Sequence, residues 1–228
     1  MLTGAGVSVA SGLPTYRGDR ESLYADPERL RAGFGSTLRA DPAAFWRVWR
    51  PKRRLLRAAR PNPAHAAIAA LERRTTRFLL ATQNVDGLHR AAGSRDPVEL
   101  HGDALTERCL DEACGAGRWP ADPAHDEEGA DFPRCPRCGG PARPDVVLFG
   151  EGADHRWEPI RAFLAAPVDV VLLVGTSGTV PVPEELIRLA RAAGPTWVVD
   201  LGPAPSVAEV DEQVVGTAEA LLPALVAG

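Results

Sequence analysis

The sequence predicts an α/β chain: a Rossmann-like doubly wound parallel sheet carrying a smaller helical and cysteine-bearing module. Three observations point there. A glycine turn, Gly4-Ala5-Gly6, stands at the head of the chain. Continuous apolar runs at residues 78–81, 146–149, 168–174 and 196–199 alternate with helical patterns, as expected of strands buried on both faces. Two cysteine pairs, Cys109/Cys114 and Cys135/Cys138, flank a segment (116–133) too rich in Pro, Gly, Asp and Glu to form its own core.

The glycines at 4 and 6 let backbone N–H groups approach a pyrophosphate with no Cβ in the way, and a helix starting there adds its positive end. The same three residues also occur in plain strand-to-helix connections. Such a turn needs a strand of about five residues before it, yet only Met1-Leu2-Thr3 precede it. The expectation is therefore that the natural chain starts upstream.

Next comes a mostly helical insertion. Within it Arg47 to Arg60 places Arg50, Lys52, Arg53, Arg54, Arg57 and Arg60 among Trp49, Leu55 and Leu56, which reads as the solvated face of an amphipathic helix. The run 78–81 then leads straight into Thr82-Gln83-Asn84-Val85-Asp86-Gly87-Leu88-His89, and Glu99-Leu100-His101-Gly102 follows. Polar clusters at strand ends face the ligand crevice of an open α/β sheet, so Gln83, Asn84 and Asp86 are placed to bind.

Four thiolates from two short knuckles can enclose a tetrahedral zinc, a closed structural site. Free thiols and a redox pair remain alternatives. Further on, the run 168–174 exits into Gly175-Thr176-Ser177. A helix from about 183 to 193 stops before Gly194-Pro195. The next strand is expected to exit at Asp200, where a carboxylate accepts from a ribose hydroxyl.

The 228 residues suit one domain with insertions. A net charge of −4 argues against a general nucleic-acid binder. No stretch approaches the ~20 apolar residues of a membrane span, and there is no signal-peptide order. The reading is cytoplasmic, with no nucleic acid and no membrane partner.

Taken together, Gly4 to Gly18, Thr82 to His89, His101-Gly102, the cysteine pairs and Gly175-Thr176-Ser177 resemble the sirtuin family of NAD-dependent protein deacylases, bacterial type. The resemblance implies a single catalytic domain. Its Rossmann-like part covers about 1–18, 74–103 and 144–228, with a helical insertion at about 19–73 and a zinc-binding insertion at about 104–143. It implies NAD and one structural zinc as cofactors and an acylated-lysine protein or peptide as substrate.

By the same resemblance Gly4, Ala5, Gly6, Ser8, Pro14, Tyr16, Arg17, Gln83, Asn84, Asp86, Gly175, Thr176, Ser177, Asp200 and Ala218 contact NAD. His101, Asn84 and Asp86 are catalytic. The acyl oxygen attacks the ribose carbon as nicotinamide leaves, and His101 activates a ribose hydroxyl. Val147, Leu148, Phe149 and Gly150 pair with the peptide backbone. Trp46 and Trp49 make an apolar wall for an acetyl or longer apolar acyl group. A succinyl preference and mono-ADP-ribosyl transfer are the alternatives.

Overall fold

The computed structural model describes residues 1–15, 33–178, 181–202, 207–208 and 210–227. Six parallel strands form the main sheet: β1 (Leu2–Thr3), β2 (Ala81–Thr82), β3 (Val98–Glu99), β7 (Val170–Val174), β8 (Trp197–Gly202) and β9 (Glu212–Val215). Their order is β3-β2-β1-β7-β8-β9. This is the Rossmann order, which reverses direction between β1 and β7 and so opens its ligand crevice there.

The two residues of β1 occupy the centre of the sheet. Leu2 pairs with Ala81 on one side and Leu173 on the other, and Thr3 with Thr82 and Val174. Leu2 is fully buried, a burial worth about 1.5–3 kcal/mol.

A short helix, α4 (Leu88–Ala91), follows β2, and longer ones cover both faces. On one, α5 (Glu158–Phe163) and α6 (Val182–Ala193) bring Ile160, Leu186, Ile187 and Ala190 onto Leu2, Leu173 and Val198. On the other, α3 (Pro63–Arg74) and α7 (Ala218–Ala227) bring Ala64, Ile68, Ala218 and Leu222 onto Val7, Leu80 and Val174. Asn62 starts α3 with a capping box: its side chain accepts from Ala64 N, and its own N–H donates to His65 Nδ1. Because α3 lies on the sheet, the helical insertion proper is shorter than the 19–73 expected. It comprises α1 (Gly35–Ala40) and α2 (Pro42–Ala58) among the described residues.

The smaller module is a three-stranded antiparallel sheet in the order β5-β4-β6, with β4 Gly102–Cys109, β5 Arg118–Pro120 and β6 Ala142–Val146. The apolar run 146–149 is thus no strand of the main sheet. Val146 ends β6, and Val147 to Phe149 run on in a different set of bonds: Val147 N donates to His101 O and Phe149 N to Gly33 O.

The basic face of α2 is only partly solvated: Arg47 and Arg54 are exposed, whereas others are covered. Arg53 is fully buried, 2.7 Å from Glu107 and 2.8 Å from Asp126. Arg57 reaches Asp126 at 2.7 Å, and Arg54 donates to the Asp126 carbonyl. This face binds the helix to β4 and to the 3₁₀ turn Pro123–Asp126. Sequence periodicity marks such a face as polar without saying that a second module covers it.

Candidate active site

The glycines of the first turn serve to bring two loops together. Gly4 N donates to Val174 O (3.0 Å) and Gly6 N to Gly175 O (2.9 Å). A Cβ on Gly4 would stand 2.7 Å from Gly175 O, and one on Gly6 2.7 Å from Gly175 Cα. Gly175 itself has φ +61°. The turn and the β7 exit therefore meet at the switch point with backbone against backbone. The chain continues as a 3₁₀ turn, Ala5–Ser11, which turns Ser8 inward.

Ser8 Oγ donates to Asp86 Oδ2 at 2.8 Å, and Leu88 N donates to Oδ1 at 2.9 Å. Burial raises the Asp86 carboxyl's pKa, and these two donors oppose the shift. Asn84 Nδ2 lies 3.1 Å from both Gly4 O and Ser8 Oγ. Ala5, Ser8, Pro14, Asn84 and Asp86 line one small cavity, so two segments far apart in the sequence converge.

His101 lies between β3 and β4, its Nδ1 2.9 Å from Gln83 O. A carbonyl can only accept, so Nδ1 carries the proton and Nε2 keeps its lone pair. Burial lowers the ring's pKa, with the Gln83 carbonyl opposing and the Arg156 charge adding to the fall. Neutral imidazole is the form a general base requires. Gly102, at φ +87°, fixes the position: a Cβ there would stand 1.9 Å from Asp145 O.

Thr176 Oγ1 is buried and has no hydrogen-bond partner among the described residues, which leaves it able to serve a ligand at the β7 exit. Ser177 follows it. Tyr16 and Arg17 lie outside the described residues.

Ala218 stands at the start of α7, packed beside Val7 and Leu222. Three expectations are corrected. Asp200 is not at a strand exit: β8 continues to Gly202, and Asp200 is buried in mid-strand between Leu173 and Gln213. Trp46 is fully buried and donates its indole N–H to Ala142 O, while Trp49 stacks on Phe45 at 5.3 Å. These tryptophans are core, and it is the later residues of α2, Lys52, Leu55 and Leu56, that reach the cavity. Finally, the Val147, Leu148 and Phe149 N–H groups are all engaged within the chain, with His101 O, Glu151 Oε2 and Gly33 O.

Behind the cavity stands a polar network that the sequence did not disclose. Thr3 Oγ1 meets Thr82 Oγ1 and His89 Nε2, both at 2.8 Å. The His65 ring lies 4.9 Å from the His89 ring, with Ser8 Oγ at 3.5 Å from His65 Nε2. Burial pushes His65 down to about 4 and His89 to about 3, so both are neutral. Asn62-Pro63 is a helix-start signal that places His65 at the third helical position. Nothing in the sequence places it beside Ser8.

The four cysteine Sγ atoms lie within 4.8 Å of one another, Cys109 and Cys138 at 3.6 Å, Cys114 and Cys135 at 3.7 Å. A tetrahedron with Zn–S near 2.3 Å has S···S edges of about 3.8 Å, whereas a disulfide needs about 2.05 Å. The cluster is shaped to hold one zinc ion with no open position. Backbone bonds set the second knuckle: Cys135 N donates to Gly140 O and Gly139 N to Cys135 O.

The family model described as Sir2 family matches residues 4–182. An NAD-dependent protein deacylase of Thermus thermophilus is 45% identical over 214 residues, covering 90% of this chain and 79% of the relative. One of Aeropyrum pernix is 41% identical over 210 residues, covering 90% and 80%. Among solved structures, a Sir2 homolog–NAD complex is 32% identical with a TM-score of 0.85, covering 99% of this chain and 86% of that one. A Sir2 homologue in complex with ADP ribose is 31% identical with a TM-score of 0.88, covering 99% and 89%.

Proposed function

The chain belongs to the Sir2 family, and from that premise we propose that it is an NAD-dependent protein lysine deacylase that passes the acyl group to ADP-ribose and releases nicotinamide. The observation that carries the reading is His101, a part-buried neutral imidazole with Nδ1–H committed to Gln83 O and, among the described residues, no hydrogen bond at Nε2. The names of the relatives and the NAD and ADP-ribose complexes of similar chains support it.

The residues present fit NAD. The close-packed glycine turn at the switch point, the Thr176 hydroxyl, which has no partner among the described residues, and the cavity under Ser8, Asn84 and Asp86 make a cradle for a dinucleotide. When bound, NAD supplies an electrophilic ribose carbon that loses nicotinamide and takes up the acyl oxygen. Ser8, Asn84 and Asp86 orient that end of the cofactor, already cross-linked by their own hydrogen bonds. His101 Nε2 takes a proton from a ribose hydroxyl so that the hydroxyl attacks the acyl carbon.

Leu13, Leu55, Leu56 and Val85 around the cavity favour an acetyl or other apolar acyl group. Among the described residues of the same lining, Lys52 is the feature that favours an acidic acyl group. Acetyl-lysine and succinyl-lysine peptides incubated with NAD and read by mass spectrometry separate these readings. Acetyl turnover exceeding succinyl is the expected outcome, and the reverse would move the assignment to Lys52. ADP-ribose attached to protein, without acyl-ADP-ribose, would replace deacylation by ADP-ribosyl transfer.

A further inference from the structure

The neutral ring of His65 carries one proton, and the start of α3 decides where that proton sits. Asn62 N–H donates to His65 Nδ1 at 3.3 Å. Nδ1 therefore keeps its lone pair, and Nε2 is the nitrogen that carries the hydrogen. Nε2 lies 3.5 Å from Ser8 Oγ, and as an N–H it can only donate there. The helix cap thus selects the tautomer of a fully buried ring.

The consequence falls on Ser8, whose hydroxyl has one hydrogen and two lone pairs. Asn84 Nδ2 donates to Oγ at 3.1 Å, and His65 Nε2–H takes the other lone pair. The hydrogen is left for Asp86 Oδ2, at 2.8 Å. In the opposite tautomer His65 Nε2 would be an acceptor, competing with Asp86 for that hydrogen. Leu88 N–H holds the second Asp86 oxygen at 2.9 Å, so one oxygen is fixed by the start of α4 and the other by the relay from His65. Two donors on Oγ also polarise the hydroxyl and strengthen the bond it gives.

Ser8, Asn84 and Asp86 line the cavity, and His65 stands behind them. We propose that His65 is a positioning residue: its Nε2–H holds the Ser8 hydroxyl toward Asp86 and so sets the carboxylate that orients the reacting end of the cofactor. The proposal rests on the deacylase reading for what Asp86 orients, and on the hydrogen bonds for the link from His65 to Asp86.

The test compares His65→Gln with His65→Leu in the whole protein, each shown to be folded by circular dichroism. Gln is the residue a capping box uses at the third helical position, and its amide can accept from Asn62 N–H while donating to Ser8. Leu offers neither bond. With NAD and an acetyl-lysine peptide, His65→Gln is expected to keep kcat within about twofold, and His65→Leu to lower it about three- to tenfold with the peptide KM unchanged. Wild-type kcat in His65→Leu, or equal losses in both variants, overturns the proposal. His65→Asn, too short to reach Ser8, replaces the leucine variant if that one does not fold. Carbon-13 NMR of the Asp86 carboxyl, identified by its absence from Asp86→Asn, reads the relay without turnover. The Ser8 bond holds the Asp86 pKa down, so Asp86 should titrate at higher pH in His65→Leu and as in the wild type in His65→Gln. If no peptide is turned over, that pattern upholds the relay while the deacylase reading fails. An Asp86 titration unchanged in His65→Leu overturns the proposal.

Discussion

His101 depends on the residue that follows it. Gly102 has φ +87°, and a Cβ there would stand 1.9 Å from the Asp145 carbonyl, a contact that only a backbone shift relieves. Gly102→Ala is therefore expected to move His101 away from Gln83 O and lower kcat/KM by a hundredfold or more, on the order of the contribution of a positioned base. Wild-type activity in that variant would contradict the geometry. Gly6→Ala acts at the switch point: with Gly175 Cα 2.7 Å from the new Cβ, a loss of about 1–3 kcal/mol of stability is expected in urea unfolding. The motifs around residues 4–8, 82–89 and 101–102 made these residues legible, because special backbone geometry and polar strand exits leave residue-level marks. His65 left none, since its meaning comes from a helix face meeting Ser8 across 57 positions.

Helix α2 shows what an element's sequence conceals. Its Arg-rich face has the period of a surface helix, yet Arg53 is sealed between Glu107 and Asp126. Removing one member of a buried ion group leaves the others uncompensated, so Arg53→Ala is expected to cost about 3–5 kcal/mol. Circular dichroism melts should show that loss, and an unchanged melting temperature would contradict it. The zinc knuckles were legible from spacing alone. The strand at 146–149 was misread because a continuous apolar run is also what a segment crossing between two sheets looks like. The two-residue strand β3 is shorter than any periodicity can mark, whereas the run at 78–81 pointed to β2. Chelation or Cys135→Ser is expected to disorder the sheet β5-β4-β6, with the main sheet retained. Loss of hydrogen-exchange protection confined to residues 102–146 would show it, and unchanged protection there would count against a structural metal.

At the scale of the whole molecule, the two buried histidines make stability depend on pH. Their folded values, about 4 for His65 and about 3 for His89, lie below the unfolded value of about 6.5. The unfolded chain thus binds more protons between these limits, and stability falls as pH drops below about 6.5. Between pH 7 and pH 5 each histidine accounts for a loss of about 2 kcal/mol. Urea titrations at the two pH values should show it, with about half of the difference gone in a variant carrying His65→Gln. A stability independent of pH over that range would refute the buried, neutral assignment.

Strand order, helices on both faces and the crevice between β1 and β7 agree with the fold anticipated from the glycine turn. No helix among the described residues is long and apolar enough to cross a membrane. What the sequence could not supply is how the modules face each other, because that rests on paired charges and packed tryptophans remote in the chain.

In the proposed reaction this crevice transfers an acyl group from lysine to NAD-derived ADP-ribose with His101 as base. Its most direct test is mass spectrometry of an acetyl-lysine peptide incubated with the protein, with and without NAD, beside His101→Ala. Deacetylated peptide and O-acetyl-ADP-ribose in equal amounts, only with NAD and lost in the variant, is the expected result. Deacetylation that proceeds without NAD, or unchanged in His101→Ala, would contradict the account.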